Sequence, residues 1–137
     1  MTTGRINILV AATVLLLAAA GGLVLGFTIE PNLASGEYHV SSQRFFLREG
    51  HTHGMPIALL NLLVGLLLPR LALGERGRRA LAIAGLGAFF LPITLVLRGL
   101  TFPSKAFAPL GLVGAACFAV TAAMILAGAL RPPRATP

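Results

Sequence analysis

Residues 48–56 read Arg-Glu-Gly-His-Thr-His-Gly-Met-Pro, which places two histidines, a glutamate and a methionine within nine positions. Imidazole with thioether suits copper, whereas imidazole with carboxylate suits zinc or iron. Whether His51 and His53 can share an ion depends on the backbone between them. In an extended segment residues two apart point the same way, so the pair converges, with Glu49, Met55 or His39 completing a shell. In a helix the two differ by about 200° around the axis and cannot chelate one ion. Gly50 reads as the stop of a short helix over "SSQRFFLREG", and Pro56 biases Met55 away from helical geometry. Both features favour the extended link. A haem near this face would use His53 with His39 or His51. The plainer reading of the same stretch is a polar entry to a membrane helix, hydrogen-bonding water and lipid headgroups.

The elements that must position these residues are membrane helices. The chain has 137 residues, of which 56% are hydrophobic and 11% charged, and its mean hydropathy is +0.87. A soluble domain carries roughly 25% charged residues. Apolar runs fall near 6–28, 55–73, 80–100 and 106–130, each long enough for a hydrocarbon core about 30 Å thick. The expected fold is all-α: one membrane domain over 1–137, built as a four-helix transmembrane bundle. An outer loop over 29–54 holds a short interfacial helix, whose Phe45, Phe46 and Leu47 dip into the headgroup boundary. The first apolar run exceeds the length of a secretory signal's core, so it reads as a retained helix.

Basic residues set the orientation. Arg5, Arg70, Arg76, Arg78, Arg79, Arg131 and Arg134 lie on one side; Arg44, Arg48, Arg98 and Lys105 lie on the other. This excess places both termini in the cytoplasm of an inner or plasma membrane, with the histidines facing outward. The net charge of +7 flanks apolar spans rather than forming a soluble basic stripe, so the expected surroundings are a lipid bilayer and no nucleic acid. Cys117 is the single cysteine, which leaves no internal disulfide.

Helix association in lipid relies on close backbone approach at small residues and on polar side chains. Small residues recur at four-residue spacing as Ala18, Gly22 and Gly26, as Ala80, Ala84 and Ala88, and as Gly111, Ala115, Ala119, Ala123 and Ala127. These stripes are expected to face other helices. Asn61, Thr94 and Thr121 are the deep polar side chains, expected to hydrogen-bond between helices or back to their own. Pro92 is expected to kink the third span, and Arg98 to snorkel or to pair with Glu30 or Glu49. The chain contains no Asp, and no Glu, His or Lys lies deep in a span, which disfavours proton-coupled antiport. No nucleophile–base or acid–base pair supports an enzyme.

The stretch "FFLREGHTHGMPIALLNLLVG" resembles the second-helix entry of uncharacterised small bacterial four-helix membrane proteins that carry a Gly-His-x-His-Gly/Ala motif. That resemblance implies the four-span layout and brings no activity with it. The histidines also loosely resemble helix ends of haem–copper oxidase subunits, over too short a stretch to carry ligands across. Three functions follow as expectations. One is an accessory membrane protein whose outer histidine site binds a transition metal (copper, zinc or iron) or haem. The second is a cofactor-free scaffold or assembly subunit, working as a homo-oligomer or with a membrane-protein partner. The third is a small-solute transporter or flippase with a polar cavity lined by Asn61, Thr94 and Thr121.

Overall fold

The computed structural model describes residues 3–27 and 42–131. They form α1 (Thr3–Phe27), α2 (Ser42–Leu67), α3 (Glu75–Gly87), α4 (Phe90–Leu100) and α5 (Ala108–Ala129), with no strand among the described residues. Helices α3 and α4 are halves of one span, Glu75–Leu100, so four helices are long and apolar enough to cross a membrane. Lipid offers no partners to free N–H and C=O groups, so apolar segments of this length must satisfy them internally as helices. The fold is a four-helix bundle, compatible with a multi-pass membrane protein. Its antiparallel succession puts the start of α1 and the end of α5 on one face, the terminal face. The histidines lie toward the opposite face.

Helix α2 departs from the expected pattern. It runs unbroken from Ser42 to Leu67, so residues 42–50 do not form a separate interfacial helix but are the first turns of the second span. Gly50 does not stop it. A Cβ on Gly50 would lie 2.6 Å from Val96 Cγ2 and 3.1 Å from the Pro92 carbonyl oxygen, so this glycine lets α2 press against α4. The buried positions Gly50, Gly54, Ile57, Ala58, Asn61, Val64 and Gly65 follow the 3.6-residue period straight through Pro56. One continuous buried face requires one continuous helix. Pro56 sits on the exposed side, and its missing N–H is tolerated in a membrane helix.

The third span breaks one turn before Pro92. Pro92 has no N–H to give the Ala88 carbonyl, which instead accepts from the Leu91 N–H at 3.2 Å; the Ile93 N–H restarts the ladder by donating to Phe89 O at 3.1 Å. The expected kink therefore falls at Ala88 and Phe89, which separate α3 from α4 while keeping right-handed helical backbone angles.

The second and third spans occupy the middle, each 39% buried over its most apolar window, while α1 and α5 flank them at 6% and 11%. The flanks expose most of their surface, and within this chain only part of the small-residue stripes meets another helix. Gly111 is buried, but Ala115, Ala119, Ala123 and Ala127 are all exposed. The packed face of α5 carries Gly111, Gly114, Thr121 and Gly128 instead. The reason is the missing methyl group: α5 meets the Phe90–Leu91 backbone at Gly114, where a Cβ would collide with it. Among the remaining stripe residues, Ala88 is buried and Ala84, Ala18 and Gly22 are half-buried. Ala80 and Gly26 are exposed, and Gly26 has no neighbour within 4 Å of a built Cβ.

Candidate functional site

Because α2 is continuous, His51 and His53 point to different sides of it, about 200° apart. His53 is part-buried, and its Nδ1–H donates to the Glu49 carbonyl oxygen at 2.8 Å. The Glu49 carboxylate lies 3.7 Å from the same ring and 3.5 Å from the Arg48 guanidinium. Met55 is exposed. The set His51, His53, Glu49 and Met55 therefore does not converge, and the shared-ion geometry is corrected. His39 and Glu30 lie outside the described residues. No three of His, Cys, Asp and Glu come together among the described residues.

His51 has a different setting. The Cε1–Nε2 edge of its imidazole lies against α1, where a Cβ built on Gly22 would sit 2.9 Å from Cε1 and 3.2 Å from Nε2. Its Nδ1 is buried without a hydrogen-bond partner. The ring helps line a groove of about 570 Å³ between α1, α2 and α4. Val14, Ala18 and Gly21 form one wall, Gly50 and Gly54 the floor, and Pro92 and Val96 the other wall. Leu17, Val24 and Ile93 line it and are exposed, so the groove opens sideways onto the apolar outer surface of the bundle. Small residues on α1 and α2 leave the space, and α2 packs closely on α4 at Gly50.

No family model, curated protein or solved structure matches this chain. Function must therefore be argued from the site itself.

The groove has a polar group at its opposite-face end. Leu25 lines it, and the Leu25 carbonyl oxygen accepts from Arg44 Nη2 at 3.2 Å, which places a guanidinium at the mouth. Arg98 neither pairs with Glu49 nor extends free of the protein. Its guanidinium lies over the Phe46 ring, 4.2 Å from the centroid, a cation–π contact that anchors α4 to the start of α2.

The deep polar residues do not form a second site. Asn61 Nδ2 donates to Gly85 O at 2.7 Å and to Ile57 O at 3.1 Å, while its Oδ1 accepts from Asn7 Nδ2 at 2.8 Å. Asn7 Nδ2 also donates to Ala82 O at 3.0 Å. Both side chains are fully buried, and they tie α1, α2 and α3 together. Gly85 makes the room, since a Cβ there would fall 2.9 Å from Asn61 Oδ1. Asn7 escaped the sequence reading because it sits two residues from Arg5, at the edge of the first span. Its signal was an amide inside the 6–28 apolar run, one turn before Ala11, which is also buried.

Thr121 Oγ1 donates back to Cys117 O at 2.8 Å, and Thr94 packs its methyl group toward Gly111. Asn61, Thr94 and Thr121 are at most 3% exposed and line neither the groove nor the cavity beside Arg5 and Arg78.

The amide pair predicts a specific loss. Asn61→Ala removes three side-chain hydrogen bonds and leaves Asn7 Nδ2 with one partner fewer. Interhelical hydrogen bonds in membranes average about 0.6 kcal/mol, with a maximum near 1.7. Stability in detergent, measured by reversible denaturation, should fall by about 1–3 kcal/mol once the orphaned donor is included. Unchanged stability would show that the pair contributes nothing.

Proposed function

We propose that this chain is a small integral membrane protein whose groove between α1, α2 and α4 would hold haem, with the His51 imidazole as the ligand that the described residues offer to its iron. The observation that carries this reading is the buried, unpartnered His51 Nδ1 beside an otherwise apolar groove of about 570 Å³. A buried polar atom without a partner is unfavourable, and a bound ligand would relieve it. The volume falls in the usual range for ligand sites, roughly 300–1,000 Å³.

The number of polar groups argues for haem over other apolar ligands. A quinone presents two carbonyl groups and asks for two polar contacts, and a lipid chain asks for none. A haem needs one imidazole at the iron, burial of an apolar macrocycle, and cations for its propionates. His51 supplies the first and the groove walls the second, and the Arg44 guanidinium, bonded to the Leu25 carbonyl oxygen, brings positive charge to the mouth where the third is needed. A bare copper, zinc or iron ion would need several protein ligands, and among the described residues no three of His, Cys, Asp and Glu come together. The excess of arginines on the terminal face supports a cytoplasmic position for both termini, with the groove in the outer leaflet.

The test is haem titration of purified protein in detergent, followed by the Soret band. Wild type should bind one haem per chain. His51→Ala should weaken binding by more than the roughly 10–100-fold seen when even an outer partner of a metal ligand is removed. His53→Ala should leave the spectrum unchanged. A colourless protein, or binding that depends on His53 instead, would sink this reading; His51-dependent binding of a quinone without haem would replace the occupant.

A second reading rests on the exposed faces of α1 and α5. Ala115, Ala119, Ala123 and Ala127 form a smooth ridge on the lipid side of α5, which suits an assembly subunit that packs against another membrane chain. Cross-linking in native membranes through a cysteine placed at Ala123 distinguishes a packed ridge from a lipid-facing one.

A further inference from the structure

On the terminal face, a second cavity of about 450 Å³ lies between the start of α1, the end of α2 and the start of α3. Its wall includes Arg5, Arg78, Arg79 and Glu75, with Ile8 and Leu68 toward the apolar interior. Three guanidiniums and one carboxylate give the wall a formal surplus of two positive charges. Glu75 is already engaged: its Oε1 accepts from Arg79 Nη2 at 2.7 Å. Arg78 is held in place, because its Nε donates to Leu73 O at 3.0 Å, which leaves the terminal nitrogens of its fork for another acceptor. Arg5 makes no ion pair among the described residues.

The floor is backbone. A Cβ on Gly4 would sit 2.8 Å from the Gly65 carbonyl oxygen, so α1 and α2 cross in direct contact there and no side chain fills the space. Guanidinium forks match the geometry of phosphate oxygens and bind them in bidentate fashion. A basic rim above an apolar floor, at the level where a membrane helix begins, fits a molecule with a phosphate head and an apolar body.

We propose that this cavity seats a phosphate group, held between Arg5 and Arg78, as the headgroup of an anionic phospholipid or as a soluble phosphate. The site is separate from the histidine groove, at the other end of the bundle, and stands whether or not that groove holds haem.

The test uses delipidated full-length protein in a neutral detergent. Phosphatidylglycerol, phosphatidylcholine and inorganic phosphate are added in separate arms, and binding is read by native mass spectrometry and by the shift in unfolding temperature. Phosphatidylglycerol should bind more tightly than phosphatidylcholine. Arg5→Gln should weaken it about fivefold, the factor expected for one basic residue at a membrane surface, with the ligand-free unfolding temperature unchanged. Arg131→Gln removes the same charge from the same face outside the cavity and should have no such effect. Binding of inorganic phosphate that also depends on Arg5 assigns the site to a soluble phosphate; binding confined to phosphatidylglycerol assigns it to the lipid. Equal weakening by Arg131→Gln, or no preference over phosphatidylcholine together with no Arg5-dependent phosphate binding, overturns the proposal.

Discussion

Gly114→Leu should unseat α5 from the bundle, whereas Ala119→Leu, five residues along the same helix, should leave the fold intact. A Cβ on Gly114 would collide with the backbone around Phe90 and Leu91. Backbone cannot move aside as a flexible side chain can, so the helix must shift bodily. Overpacking a core typically costs about 1–3 kcal/mol; a leucine driven into backbone belongs at or beyond the upper end of that range. The shift would also disturb the contact between Gly111 and Thr94, one turn away. Ala119 is exposed, and an added isobutyl group there meets only lipid or detergent. Thermal unfolding of the two variants in the same detergent checks the contrast. Equal destabilisation would mean that α5 presents the alanine ridge to the bundle, reversing its rotation. A loss of oligomers confined to Ala119→Leu, with the monomer still folded, would instead support the assembly reading.

That contrast shows why the architecture was legible in the sequence and the packing only in part. Four apolar runs separated by charged clusters specify four helices, because lipid allows an exposed chain little else. Which face of each helix turns inward depends on differences of one methyl group. On α5, alanines at four-residue spacing looked like the contact face, yet Gly114, Thr121 and Gly128 repeat every seven residues and make the contact. The same principle governs α2. Gly50, Gly54 and Ala58 form a small-residue face at four-residue spacing, and reading Gly50 as a helix stop concealed it. Once that face is recognised, His51 and His53 must diverge, and the shared metal site dissolves. The groove could not be seen in the sequence at all. Its walls come from α1 and α4, which are far apart in the chain, and its opening depends on where α2 presses hardest.

Ala18→Trp should abolish ligand binding in the groove without weakening the fold. Ala18 is half-buried and lines the α1 wall, one turn from Gly22, against which the His51 ring lies. An indole projecting from this position would occupy much of the space a macrocycle needs, while its own surroundings (Val14, Leu25 and Val96) are apolar. Filling an apolar void replaces missing contacts rather than forcing existing ones apart, so stability should hold or rise slightly. The substitution leaves His51, His53, Glu49 and Arg44 untouched. It therefore separates two causes that His51→Ala alone cannot: loss of a ligand atom and loss of a place to put the ligand. If haem binds in the groove, Ala18→Trp should weaken it at least about tenfold, comparable to disturbing the support of a metal ligand, with thermal unfolding unchanged. If haem instead adheres to imidazole at the protein's surface, the indole will make no difference to the Soret titration, and the groove is not its site. A tryptophan that lowers both binding and unfolding temperature would place Ala18 in a packed contact, and the groove would then be narrower than the structure shows.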